Sequence, residues 1–88
     1  MSDKTADELM DEMEAKIKKH ANLSSEVFIR NAFEDRFLLT FIGNPKVLTE
    51  DVEKFNKSGF KVEQDGTMIV DPDDIEYSCV YFTLFLKG

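Results

Sequence analysis

The stretch that decides the fold is Ser78–Gly88, SCVYFTLFLKG. Alternate side chains of an extended segment point to opposite faces, so Val80 and its even-numbered neighbours share one face while Cys79 and Tyr81 share the other. Both faces are largely apolar. Such a strand is typical of the centre of a sheet with both faces covered, or of a sheet that gives one face to an interface.

The composition indicates one small globular domain, spanning residues 1–88. The chain is 42% hydrophobic and 33% charged, and its eight Phe and two Tyr supply much of the apolar volume of a core. A length of 88 residues cannot fill two separate cores. The single cysteine excludes an internal disulfide framework and a multi-cysteine zinc site, which predicts a reducing, cytoplasmic location.

The net charge limits the classes of molecule that the protein is expected to bind. A net charge of -7 opposes direct binding to nucleic acid or to anionic lipid, because both require clustered lysine and arginine. The apolar runs are too short to cross a bilayer, and the acidic start is unlike a signal peptide. We expect no membrane, no cofactor, and a protein partner with a basic surface.

The first half of the chain predicts a helix followed by two strands. In TADELMDEMEAKIKKHAN, apolar residues recur every three or four positions, and the helix is expected to stop near Asn22. Residues 25–33 are compatible with a strand or a short helix, and their β-branched and aromatic content favours the strand. A turn at Glu34 and Asp35 then leads into a strand at 37–42.

The second half predicts another helix and two or three strands. Thr49 is expected to cap the helix, with Asp51 in its first turn. Asp65 and Gly66 predict a β-hairpin, and the last strand is expected at about 77–86. The resulting fold class is α+β, in the order α-β-β-α-β-β, with an antiparallel sheet of four or five strands packed with two helices.

The arrangement of the helices decides what the sheet exposes. Helices on opposite faces would cover both sides of the last strand. Helices on the same face would leave Leu38, Ile42, Tyr81 and Phe85 exposed together as an apolar patch. The patch, or the edge of the C-terminal strand, would then allow a homodimer.

The sequence offers little catalytic chemistry. His20 and Cys79 are the only copies of their residue types, and nothing in the sequence brings them into contact with each other and with a third orienting group. The acidic segment DPDDIE, residues 71–76, lacks the spacing and glycine of a calcium loop. We interpret it as a solvated acidic loop and predict that the protein is not an enzyme.

These observations favour a small acidic, non-enzymatic protein-interaction module, an inhibitor, adaptor or assembly subunit of a kind frequent among phage and mobile-element proteins. One alternative is an acidic mimic of nucleic acid that blocks a basic nucleic-acid-binding protein. A second is a minimal metal-dependent enzyme that uses the acidic cluster at 71–76. The predicted partner-binding residues are Asp7, Asp11, Glu12, Glu14, Glu63, Asp65, Asp71, Asp73, Asp74, Glu76, Tyr81 and Phe85.

Overall fold

Two helices and one four-stranded antiparallel sheet make up the computed structural model, which describes residues 6–86, with side chains from residue 8 onward. The elements are α1 (Ala6–Ala21), β1 (Glu26–Ala32), β2 (Arg36–Gly43), α2 (Pro45–Asn56), β3 (Lys61–Gln64), a short 3-10 helix (Ile75–Tyr77) and β4 (Ser78–Phe85). The predicted α+β class and element order are confirmed, as is the strand at 25–33. No helix within residues 6–86 is long and apolar enough to cross a membrane.

The strand that is apolar on both faces lies inside the sheet, whose order is β1-β2-β4-β3. β2 pairs with β4 along its whole length, from Arg36 opposite Phe85 to Gly43 opposite Ser78. On its other side β4 pairs with β3, and the segment after β3 continues with a backbone bond from Asp65 to Tyr81. β4 therefore has no free edge, and a homodimer through that edge would require β3 to be displaced.

Both helices cover the same face of the sheet. Phe41 of β2, Phe55 of α2 and Phe82 of β4 form a triangle of fully buried rings with centroids 5.0 to 5.2 Å apart. Ile17 of α1 and Leu48 of α2 belong to the same buried cluster. Neither α1 nor α2 packs against the opposite face, which we call the open face.

The second helix begins five residues earlier than predicted. Asn44, not Thr49, is the N-cap, because its side-chain oxygen accepts the backbone N–H of Val47 at 2.9 Å and Pro45 follows as the first helical residue. Thr49 lies inside the helix, where its hydroxyl donates to the carbonyl of Pro45. The Asn44-Pro45 pair that follows β2 therefore starts the helix.

Replacing Asn44 with alanine is expected to lower the free energy of unfolding by about 1 kcal/mol, since the N–H of Val47 loses its acceptor. Thr49→Ala is the matched control, and it should change stability by less than about 0.5 kcal/mol. Urea denaturation of the two variants gives the comparison. A larger loss for Thr49→Ala would contradict the assigned cap.

Asp51, expected in the first helical turn, is instead fully buried near the middle of α2. Its carboxylate accepts the backbone N–H of Ser25 at 2.7 Å and that of Ser24 at 3.1 Å. These two residues form the connection from α1 to β1. One carboxylate therefore ties the α1–β1 connection to α2, and it is structural rather than an exposed helix-dipole charge.

The predicted hairpin at Asp65 and Gly66 is wrong. β3 and the following segment run along the same strand: Gln64 lies opposite Phe82, Asp65 bonds to Tyr81, and Ile69 bridges to Cys79. Gly66, with φ of +87°, lies in an outward bulge between these contacts. The chain reverses later, at 71–77, so β4 begins at Ser78 rather than Tyr77.

The outer edge of β1 is partly closed by α1. The Glu14 carboxylate accepts the N–H of Ile29 at 2.6 Å, which occupies a backbone donor on the strand's outer side. β3, at the other edge, has only four residues and carries Lys61 and Glu63. The short, charged β3 edge and the β1 edge that is bonded to Glu14 both oppose edge-to-edge pairing with another sheet.

Candidate functional site

The open face is a four-by-four array of side chains set by the strand register. Residues directly opposite in neighbouring strands point to the same side, so the pairing defines four rows across β1, β2, β4 and the β3 edge. The rows are Glu26, Ile42, Cys79, Ile69; then Phe28, Thr40, Tyr81, Asp65; then Asn31, Leu38, Thr83, Glu63; then Phe33, Arg36, Phe85, Lys61.

The apolar members of this array form the patch predicted for helices on one face. Leu38, Ile42, Tyr81 and Phe85 are half-buried, and Phe28 at the β1 side is 46% exposed. On the covered face, by contrast, Leu39, Phe41, Val80 and Phe82 are fully buried. Of the two arrangements that the sequence left open, the structure has both helices on one face, and the four side chains Leu38, Ile42, Tyr81 and Phe85 on the other face are partly exposed.

A polar cluster lies in the middle of the open face. Arg30 is the extra residue of a bulge in β1, and its guanidinium lies 4.7 Å from the centroid of the Tyr81 ring. The same guanidinium lies 3.9 Å from a carboxylate oxygen of Asp65. Asp65 also accepts the hydroxyl of Thr83 at 2.6 Å. Arg30 therefore bridges the Tyr81 ring and the Asp65 carboxylate.

Tyr81 also contacts the only thiol in the chain. A side-chain hydrogen bond with Cys79 and the charge of its thiolate raise the pKa of Tyr81 above the ordinary 10.0, while the nearby Arg30 charge opposes the shift. Because the folded pKa is raised, this contribution to stability is fully present below the ordinary pKa. It is lost as the pH rises through the raised value.

Cys79→Ala is therefore expected to lower the pKa of Tyr81, because it removes the main cause of the shift. Phenolate absorbance measured against pH would show this, with Tyr77→Phe as the common background so that one tyrosine reports. Thr40→Ala, which alters the same face without touching the thiol, is the control. An unchanged pKa in Cys79→Ala would contradict the Tyr81–Cys79 contact.

The open face is electrically balanced, although the chain is not. Over the described strands it carries three acidic and three basic side chains, namely Glu26, Glu63, Asp65, Arg30, Arg36 and Lys61. The whole chain carries -7. The excess negative charge therefore lies off this face.

The predicted acidic partner-binding residues are spread over several elements. Asp11 and Glu12 are exposed on α1, and the side chain of Asp7 lies outside the described residues. Glu14 is engaged with the β1 backbone. Of the predicted acidic residues, Glu63 and Asp65 lie on the open face with Tyr81 and Phe85.

The acidic loop at 71–76 has internal structure. One oxygen of Asp71 accepts the backbone N–H groups of Asp73 and Asp74, at 3.0 and 3.2 Å. The Glu76 carboxylate is 3.5 Å from the side-chain amide of Asn44. Within the part of the chain with described side chains, no group of three or more acidic, histidine or cysteine side chains is arranged to hold a metal ion.

His20 and Cys79 lie on opposite sides of the sheet. His20 stacks on Phe60 with centroids 4.6 Å apart, and its Nε2 is 2.9 Å from the carbonyl oxygen of Ser58. Cys79 is on the open face beside Tyr81. The two residues therefore cannot act as a nucleophile and base pair without rearrangement of the fold.

An apolar groove of about 700 Å³ lies on the helical side of the molecule. Its walls are the second half of α1, Phe60 and the end of β4. Lys16 and Lys19 stand at its rim. Sequence reasoning missed this groove, because it depends on how α1 crosses the sheet.

Sequence reasoning also missed Phe28 and Arg30 as members of the open face. The alternation with Val27 and Ile29 in EVFIR was a signal for Phe28, whereas the position of Arg30 depends on a bulge. The ambiguity between strand and helix at 25–33 obscured the signal for Phe28.

The chain was compared with protein-family models, with curated proteins and with solved structures, and none of them matches it.

Proposed function

We propose that this protein is a non-enzymatic interaction module whose binding surface is the open face of its sheet. The observation that carries the proposal is a set of partly exposed apolar side chains from three strands on the face that α1 and α2 leave uncovered, namely Phe28, Leu38, Ile42, Tyr81 and Phe85. Exposed apolar patches of this kind mark protein-binding surfaces. Flanking charges on β1 and β3 provide a polar rim, the common anatomy of such interfaces.

We further propose that the protein acts in the cytoplasm as an inhibitor, adaptor or assembly subunit. The unpaired thiol of Cys79 on this face is compatible with a reducing compartment. The alternative of an acidic nucleic-acid mimic stays a prediction. It would use carboxylates of α1 and of the 71–76 loop, which belong to separate elements, whereas the open face is one continuous surface.

Site-specific photo-crosslinking in cells tests the proposal. A benzophenone amino acid at Thr40, in the middle of the open face, is expected to crosslink to a protein, whether a second copy or a different chain. The same probe at Thr49, exposed on α2, is the matched control. Crosslinked products would be resolved on gels and identified by mass spectrometry.

The crosslinks formed from positions 40 and 49 decide whether the open face binds a protein. Protein adducts at position 40 that are absent at position 49 support a binding surface on the open face. Adducts at position 49 alone, or no protein adduct at position 40, would refute the proposal. The mass of the adduct distinguishes a second copy from another partner.

A further inference from the structure

We propose that the helical side of the protein binds a long-chain fatty acid in a trough along one flank of α1. The carboxylate of the ligand contacts Lys16 and Lys19, and its acyl chain runs from there toward Leu9. The trough lies on the side of the sheet opposite the open face. This binding is therefore a second function, and it does not depend on the function proposed for the open face.

Two apolar hollows follow each other along α1 and together form the trough. The first is the groove of about 700 Å³ beside the second half of α1. The second is a hollow of about 240 Å³ lined by Leu9 and Met10 of α1 and by Phe37 of β2, among others. Met13 lines both. Leu9, Met13 and His20 are spaced by four and then seven residues, which places them on one flank of the helix, so the hollows are neighbours on that flank.

The lining of the trough is apolar except at one end. Every residue that lines the smaller hollow is apolar. In the groove, the buried Ile17 and Leu84 and the partly exposed Phe60 and Leu86 supply apolar walls. Among the described residues, no acidic side chain lines either hollow. Sites for small ligands have this composition and volume, with mostly apolar walls and a few polar groups that fix the orientation of the ligand.

The polar end of the trough is positively charged, although the protein carries -7. Lys16 and Lys19 are three residues apart on α1, so their side chains are neighbours on the helix surface. Both are exposed, and within residues 8–86 neither ammonium group makes a hydrogen bond or an ion pair. Two such ammonium groups beside apolar walls complement a ligand that has a carboxylate head and an apolar tail.

The length of the trough indicates an extended acyl chain rather than a compact ligand. Lys19 and Leu9 are ten residues apart, which is about 15 Å along a helix that rises 1.5 Å per residue. Dodecanoate spans a comparable length when its chain is extended. Methionine side chains are flexible and adapt to irregular apolar shapes, so Met10 and Met13 are suited to contact with an acyl chain.

Isothermal titration calorimetry with dodecanoate, kept below its micelle concentration, tests the proposal. One molecule is expected to bind per chain, with a dissociation constant in the micromolar range. Across octanoate, decanoate and dodecanoate, the affinity should rise by up to about fourfold for each added methylene, because each methylene is buried in the trough. Dodecyltrimethylammonium has the same chain and the opposite charge, and it should not bind in the same concentration range.

Variants at the two ends of the trough locate the ligand. Lys16→Glu and Lys19→Glu are each expected to weaken dodecanoate binding at least about fivefold, since each replaces an attraction with a repulsion. Lys46→Glu makes the same charge change at an exposed position of α2, and it should change the affinity less than about twofold. Leu9→Gln should weaken the binding of dodecanoate but not that of octanoate, because only the longer chain reaches the smaller hollow. Thermal melts without ligand establish that every variant is folded.

Saturable binding of dodecanoate that both lysine variants weaken would support the fatty-acid site. An absence of binding heat together with an unchanged Tm at about 1 mM dodecanoate would overturn it, since a ligand of the folded state raises the Tm. Equal binding of dodecyltrimethylammonium, or an unchanged affinity in the lysine variants, would also overturn it. Dodecanoate binding that Leu9→Gln leaves unchanged would contradict the assigned path of the acyl chain. These results are independent of crosslinking from Thr40, so the proposed function is tested separately.

Discussion

Phe82→Ala is expected to lower the free energy of unfolding by about 3–5 kcal/mol, a large share of the total stability of a small domain. Phe82 is fully buried, and its ring lies 5.0 Å from that of Phe55 and 5.2 Å from that of Phe41. Truncation removes apolar burial and both ring contacts, and it leaves a cavity between the sheet and α2. Urea denaturation monitored by circular dichroism would measure the loss.

Phe28→Ala is the matched control, because it makes the same chemical change on the open face. Phe28 is 46% exposed, so the monomer should lose about 1 kcal/mol or less. The contrast tests the assignment of the two faces. Equal losses at the two positions would show that the open face is packed as tightly as the covered one.

The second large effect is expected at Asp51. Asp51→Ala should lower the free energy of unfolding by about 3 kcal/mol, because the backbone N–H groups of Ser24 and Ser25 lose a charged acceptor at a largely buried site. Glu50→Ala, at the exposed neighbouring position, should change stability by less than about 0.5 kcal/mol. Similar losses for the two variants would contradict the role of Asp51.

Asp51→Asn refines this test. The amide keeps one acceptor oxygen, so it can retain the 2.7 Å bond from Ser25 while losing the charge and the second oxygen. An intermediate loss is expected. A loss as large as that of Asp51→Ala would show that the charge, rather than the bonding geometry, provides the stabilisation.

Elements with strong periodic patterns could be predicted from the sequence. α1 follows from apolar residues spaced by three and four, and β2 from the almost continuous apolar run FLLTFI, residues 37–42. Asn22, expected to end α1, has φ of +56°, the left-handed conformation that asparagine tolerates. In each case the local pattern and the tertiary packing favour the same structure.

Predictions failed where one local signal fits two structures. Asp65-Gly66 is a strong hairpin signal, yet pairing of the whole 61–69 segment with β4 overrides it and uses Gly66 in a bulge. Thr49 resembles a helix cap as well as Asn44 does, and only the hydrogen bond to Val47 decides between them. The first outcome depends on long-range strand pairing, which single-sequence patterns do not report, and the second on a local hydrogen bond between residues three apart.

The candidate site was partly visible in the sequence. Leu38, Ile42, Tyr81 and Phe85 follow from strand alternation once both helices lie on one face. Arg30 could not be placed, because its position depends on a bulge that shifts the β1 register after Ile29. The balanced charge of the open face likewise depends on which strands are neighbours, and the order β1-β2-β4-β3 is not a local property.

The proposed function requires that one face of the sheet is open to solvent. Cys79 lies on that face, so the reactivity of its thiol reports whether the face is accessible. The most direct measurement is the rate at which a maleimide labels Cys79 in folded protein, followed by mass spectrometry at several protein concentrations. We expect Cys79 to be labelled in dilute solution without unfolding of the protein. Labelling that occurs only at the rate of global unfolding, even in dilute solution, would contradict the open face.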